Sequence, residues 1–130
     1  MKLLMFYAKE FWYKPYNLNS KEKEGTILTD CIVVFIQVEE NDKDKNDILG
    51  KAVGNIKWIT NKNNSDKVVL HSFAHLSNSK SDLETANKII EAIAEELRKK
   101  LTVYIVPFGQ FYEFSIHVYG QSLAKVFKDL

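Results

Sequence analysis

The stretch "TDCIVVFIQVE", residues 29–39, constrains the fold more than any other part of the chain. From Ile32 to Val38 it is almost wholly apolar and rich in β-branched side chains, so it reads as a long strand. Short apolar segments separated by polar breaks surround it. "KLLMFYA", Lys2 to Ala8, is aromatic, apolar and short, which favours a buried strand over a helix. "EFWYKPY" follows; its Pro15 has no N–H for a ladder, so it reads as an edge strand or the end of one. "NLNSKEKEG" alternates charge up to Gly25 and reads as a solvated hairpin loop.

Two helices are legible downstream. After the polar break "ENDKDKND", Asn46 or Asp47 is placed to cap a helix in which Ile48, Leu49, Ala52, Val53, Ile56 and Ile59 recur at helical spacing. "TNKNNSD" ends it, and "KVVLHSFAHL" reads as the next strand. Ser81 and Glu84 have the spacing of a capping box. Leu83, Ala86, Ile89, Ile90, Ile93, Ala94 and Leu97 then form one apolar stripe. Glu84/Lys88 and Glu95/Lys99 are candidate i,i+4 pairs. Two strands close the chain, "LTVYIV" and "QFYEFSIHVY", joined through Pro107-Phe108-Gly109. The expected order is three strands, helix, strand, helix and two strands, in one α+β domain over residues 1–130.

Composition narrows the function classes. With 45% apolar and 27% charged residues among 130, the chain suits one globular domain rather than a disordered or fibrous one. No apolar run reaches the ~18 residues of a bilayer span, so no membrane partner is expected. "MKLLMFYAKEF" lacks a small-residue cleavage site and reads as a strand rather than a signal peptide. The single cysteine, Cys31, excludes an internal disulfide and a cysteine metal cluster and suits a cytoplasmic protein. A net charge of +1 provides no global field for nucleic acid, so any RNA contact is local or assisted.

The chemistry-bearing residues cluster in two places. His71 and His75 are four apart, but only a helix turns that spacing into a metal-binding pair, and a third ligand is lacking nearby. No metal or cofactor is therefore expected. Cys31 sits in the most apolar strand, where a thiol packs rather than reacts. Ser72 and Ser77 lack the glycines of a nucleophile elbow. "PFGQFYEF" places Phe108, Phe111, Tyr112 and Phe114 within a few residues of one another. Alternation sends Tyr112, Phe114, Ile116 and Val118 to one face, which fits core packing first; the sharper alternative is a pocket for a nucleobase.

Taken together, "SFAHLS" and "VPFGQFYEFSI" resemble signature segments of the archaeal threonyl-tRNA synthetase N-terminal editing domain. The resemblance extends from "KLLMFYA" through "CIVVFIQVE" to the closing "GQSLAKVF". It implies a mostly antiparallel sheet with two helices, the fold of D-aminoacyl-tRNA deacylases. It implies hydrolysis of serine wrongly attached to threonine tRNA, with the tRNA 3′ end and the remainder of a synthetase chain as partners. Carried over by position, Phe73, Ala74 and His75 flank the seryl group, with Ser72 where family members often have proline. Pro107, Phe108, Gly109, Phe111 and Val38 line the site of the terminal adenosine.

Tyr112 stands where the family has a lysine, and Lys125 where it has an acidic residue. In the family the substrate 2′-OH and main-chain groups position the attacking water. No side chain is then catalytic by itself, and Tyr112 and His75 support the site. A freestanding D-aminoacyl-tRNA deacylase and a non-catalytic RNA-binding or dimerisation module are the alternatives. A homodimer is expected from the family and from the aromatic edge "FWYKPY", which would expose Phe11, Trp12 and Tyr13 on a lone domain.

Overall fold

The computed structural model describes residues 1–17 and 24–130; residues 18–23 of the expected hairpin loop lie outside them. The elements run β1 (Lys2–Pro15), β2 (Thr26–Gln37), α1 (Ile48–Lys62), β3 (Lys67–Ser72), α2 (Leu83–Leu97), β4 (Thr102–Ile105), β5 (Tyr112–Val118) and β6 (Lys125–Asp129). They build one sheet in the order β4-β3-β2-β1-β5, with β6 also on β1. β1 is antiparallel to β2, β5 and β6, whereas β2–β3 and β3–β4 are parallel. Each parallel pair needs a crossover, and α1 and α2 supply them. This is the α+β fold with two helices and a six-stranded, mostly antiparallel sheet that the resemblance implied.

Of the two expected readings of "EFWYKPY", an edge strand or the end of one, the second holds, and the strand is interior to the sheet. "KLLMFYA" and "EFWYKPY" form a single strand of 14 residues. In it Phe11 is partnered by Leu28 on one side and by Ile116 on the other. Pro15 is tolerated because it is the strand's last residue. Phe11 is fully buried and Tyr13 nearly so, so the exposed aromatic edge that pointed to a dimer does not exist. β6, "KVFKD", is a strand that periodicity did not announce: five residues with three charges carry too short a pattern.

The helix ends also differ from expectation. Asp47 occupies the N-cap of α1, but with φ 55° and no capping hydrogen bond from its side chain. Asp82, not the Ser81/Glu84 pair, caps α2 by accepting from the Thr85 N–H at 3.0 Å. Leu83 leaves the apolar stripe and is 70% exposed, while Ala86, Ile90, Ile93, Ala94 and Leu97 are buried. Glu84 and Lys88 pair at 3.2 Å, but Lys99 chooses Glu96 rather than Glu95.

The sheet has two very different faces. Leu3, Met5, Ile32, Val34, Ile36, Val68 and Leu70 pack under both helices. The opposite face carries Phe11, Cys31, Val33, Phe35 and Val69, with Phe73, Tyr112 and Ile116 against them. It closes on itself by curling. Phe35 lies seven residues beyond Leu28, the β2 partner of Phe11. On a flat strand that is about 23 Å. Yet the Phe11 and Phe35 rings are 6.2 Å apart. The bend coincides with a bulge between Ala8 and Glu10 of β1 and with Asp30 of β2 at φ 50°. Curling carries β5 over the end of β3, which creates the cavity described next.

Candidate functional site

β3 and β4 are parallel neighbours and end at Ser72 and Ile105, so the segments after them leave the sheet at the same edge. Two hydrogen bonds extend the ladder one step: Phe73 N–H to the Ile36 carbonyl at 2.9 Å, and Val106 N–H to the Leu70 carbonyl at 3.0 Å. Beyond these the backbones diverge. A crevice at the carboxyl ends of parallel strands is a recurrent place for ligands in sheets with helical crossovers. Here β5, brought back by the curl, forms its third wall.

The result is a cavity of about 390 Å³. Residues 71–75 and 106–112 line most of it, with Leu83 from the first turn of α2 and Phe114 from β5. Ser72, Phe73, Ala74 and His75 are thus together with Pro107, Phe108, Gly109, Phe111 and Tyr112. Val38 is elsewhere. It is buried in the helix-side core, and its carbonyl accepts from the Ser81 N–H at 3.0 Å. Lys125 also lies outside the cavity lining; it begins β6 and donates to the carbonyls of Tyr119 at 3.0 Å and Gln121 at 3.4 Å.

Local sequence explains each wall. Gly109 turns the 107–111 segment at φ 87°, a conformation that costs a side-chain-bearing residue far more than glycine. The Tyr112 hydroxyl donates to the Pro107 carbonyl at 2.8 Å and accepts from Gln110 Nε2 at 2.9 Å, tying β5 to that turn. On the other wall the Phe73 and His75 rings meet edge to face at 5.0 Å. Phe111 is 81% exposed at the rim.

Two residues of consequence were not singled out for the site by the sequence reading. Gln37, almost fully buried at the end of β2, accepts from the N–H groups of Leu76 and Ser77 and donates to the carbonyls of Ser77 and Ser79. It holds the turn that follows His75. His71 lines the cavity and is 7% exposed, enclosed by the rings of Phe35, Phe73 and Tyr112. Burial pushes its pKa down, against a smaller upward pull from the Ser72 carbonyl. The signal for Gln37 was present as the only polar residue between Ile32 and Val38.

Chemically the cavity is distinctive for what its lining contains. No carboxylate, lysine, arginine or cysteine is among the lining residues. Among the described residues no three His, Cys, Asp or Glu side chains gather as a metal site. Cys31 is buried on the aromatic face, and burial pushes its thiol up to about 11. The polar side chains that the lining does carry are those of His71, Ser72, His75, Gln110 and Tyr112.

The fold is that of the D-aminoacyl-tRNA deacylases, as the resemblance implied. The c-Myc DNA unwinding element binding protein is similar in structure, with a TM-score of 0.67 over 100% of this chain and 99% of that one. Its 15% identity makes this a likeness of fold. Sequence is more specific. The chain belongs to the archaea-specific editing domain of threonyl-tRNA synthetase, whose family model matches residues 1–130. A threonine–tRNA ligase of Staphylothermus marinus is 34% identical over 100% of this chain and 22% of that protein. A threonine–tRNA ligase editing subunit of Saccharolobus solfataricus is 34% identical over 97% of this chain and 33% of that protein. The chain therefore spans about a fifth to a third of the length of these relatives. Among the described residues no helix is long and apolar enough to cross a membrane.

Proposed function

We propose that this domain hydrolyses the ester of L-serine mischarged onto threonine tRNA and spares the threonyl ester. The observation that carries the reading is the cavity itself: "SFAH" (72–75) and "PFGQFY" (107–112), separated in sequence by residues 76–106, close one site with no carboxylate or lysine in its lining. A synthetase that accepts threonine gains only ~1–3 kcal/mol of discrimination against serine, which lacks one methyl, so a second hydrolytic site is needed. The reaction adds water to the ester carbonyl and forms a tetrahedral intermediate. The bond to the ribose 3′-oxygen then breaks, and that oxygen takes up a proton.

With no carboxylate or lysine to activate water, the substrate 2′-OH and main-chain groups do so, and backbone N–H groups stabilise the developing oxyanion. We assign the seryl group to Ser72, Phe73, Ala74 and His75, and the terminal adenosine to Pro107, Phe108, Gly109 and Phe111. Tyr112 supports the wall through its bond to Pro107. The net charge of +1 suits a module whose tRNA affinity comes mainly from the rest of a cytoplasmic synthetase. A homodimer remains part of the proposal by family resemblance alone.

The test is deacylation of L-seryl, L-threonyl and D-aminoacyl tRNA by the purified chain. Selective loss of the seryl ester is expected. Equal cleavage of the threonyl ester excludes proofreading, preference for D-aminoacyl esters makes it a D-aminoacyl-tRNA deacylase, and no turnover makes it a binding module.

A further inference from the structure

His71 is the one described residue whose side chain buries a polar atom without a hydrogen-bond partner in the protein, its Nε2. Buried acceptors are nearly always satisfied, so an orphan beside a cavity asks for an explanation. Its chemistry is set by the other ring nitrogen. Nδ1 lies 2.8 Å from the Ser72 carbonyl oxygen. A carbonyl only accepts, so Nδ1 carries the hydrogen, and in the neutral ring Nε2 is left as a lone-pair acceptor. Five aromatic rings surround the imidazole, with centroids between 5.5 and 6.5 Å away: Phe11, Phe35, Phe73, Tyr112 and Phe114. The phenylalanines have nothing to donate, and the Tyr112 hydroxyl gives its hydrogen to Pro107.

We propose that His71 Nε2 accepts the side-chain hydroxyl of the amino acid held in this cavity, a specificity-determining contact that rests on the editing reading above. The atom is sealed from solvent, so the donor arrives with the ligand, and the neighbouring rings shift to admit it. A neutral hydroxyl fits this apolar floor; an ammonium there would lose its hydration without a counter-charge. The position also selects the small end of the substrate. His71 is deep, next to Phe35 of the core, whereas Phe111 stands exposed at the rim where a base has room to stack. A site that hydrogen-bonds a substrate hydroxyl rejects an analogue lacking it. His71 thereby restricts the domain to hydroxyl-bearing residues, and the distinction between serine and threonine is left to the walls.

The test is binding to the intact chain of 3′-amino-3′-deoxyadenosine carrying serine through a stable amide, compared with its alanine counterpart. Titration calorimetry on wild type and His71→Phe is paired with ¹⁵N spectra of the imidazole. His71→Phe should weaken the seryl compound about tenfold, as the loss of one hydrogen bond in a closed site implies, and leave the alanyl compound unchanged. His71→Gln, which keeps an acceptor, should recover part of the loss. The Nε2 resonance should move with the seryl compound only. If His71→Phe binds both compounds as wild type does, or weakens both equally, the proposal is overturned while the editing reading stands. If wild type binds neither compound, the editing reading fails and this contact with it.

Discussion

Gln37 and Ser77, forty positions apart, meet as a reciprocal pair: the Gln37 carboxamide oxygen accepts the Ser77 N–H at 2.8 Å, and its nitrogen donates to the Ser77 carbonyl at 2.8 Å. The same side chain accepts from the Leu76 N–H at 2.6 Å and donates to the Ser79 carbonyl at 2.9 Å. Ser77 Oγ adds a bond to Glu39 at 2.8 Å. One buried amide thus replaces the strand pairing that β3 gives up at Ser72, and it fixes the path of the backbone beyond His75.

Gln37→Leu keeps the volume and removes every one of these bonds. Unmaking the partners of partly buried main-chain groups should cost about 2–3 kcal/mol. Urea denaturation should show that loss. Hydrogen exchange at the Leu76 and Ser77 amides should accelerate beyond what the global loss explains. Unchanged exchange at those two amides would mean that the turn holds without the clamp.

Tyr112→Phe deletes a hydroxyl occupied with Pro107 and Gln110, so its effect should be structural and small, about 1 kcal/mol of stability with most hydrolytic activity kept. Replacing the terminal adenosine of seryl-tRNA by its 2′-deoxy form should instead slow hydrolysis by about 10²–10³, the loss typical of one preorganised oxyanion donor. Single-turnover rates compare the two directly. An inactive Tyr112→Phe enzyme, or a 2′-deoxy substrate cleaved at the normal rate, would return the catalytic role to the side chain.

His75→Ala removes an exposed imidazole that packs edge to face on the Phe73 ring, so stability should hardly change. Selectivity should fall instead. The ratio of seryl to threonyl hydrolysis should drop about tenfold while the seryl rate changes less, because a polar selector acts through differential transition-state binding. Parallel kcat/KM measurements on both esters check this.

Acid stability has a definite sign at the amino terminus. The Met1 ammonium is buried against Glu39 at 2.6 Å and Asp42 at 2.9 Å. Burial alone would raise the Glu39 carboxyl, but hydrogen bonds from the Met1 ammonium and Ser77 outweigh it and hold the group at about 2, below its ordinary 4.5. A depressed carboxylate stabilises the fold fully above its unfolded value and loses that contribution as pH falls from about 4.5 toward 2. Glu39→Gln should therefore be less stable at neutral pH, and its melting temperature should fall less steeply between those limits. Parallel melting curves for both proteins would remove Glu39 from the acid transition.

Much of this architecture was readable without coordinates. The apolar run at Ile32–Val38 and the stripes of α1 and α2 carry their own periodicity, because burial on one face imposes a 3.6-residue repeat and burial in a sheet imposes strand-forming residues. Most of the residues lining the cavity were also legible, as two segments with a shared resemblance, but His71, Leu83 and Phe114 were not assigned to it, and Val38, expected there, packs in the helix-side core. What local pattern does not encode is pairing. "EFWYKPY" looked like an edge because Pro15 is a local signal, whereas its second neighbour, β5, lies about a hundred residues along the chain. Asp82 outcompeted the Ser81/Glu84 box because the chain entered α2 one residue later than spacing alone suggests. The bend at Lys9 and Asp30 was decided only in three dimensions: curling the sheet seats Phe11 against Phe35, buries the second apolar face, and sets β5 over the end of β3. That long-range closure, a property of the whole sheet, placed Tyr112 beside His71 at 5.8 Å and turned two separate sequence segments into one site.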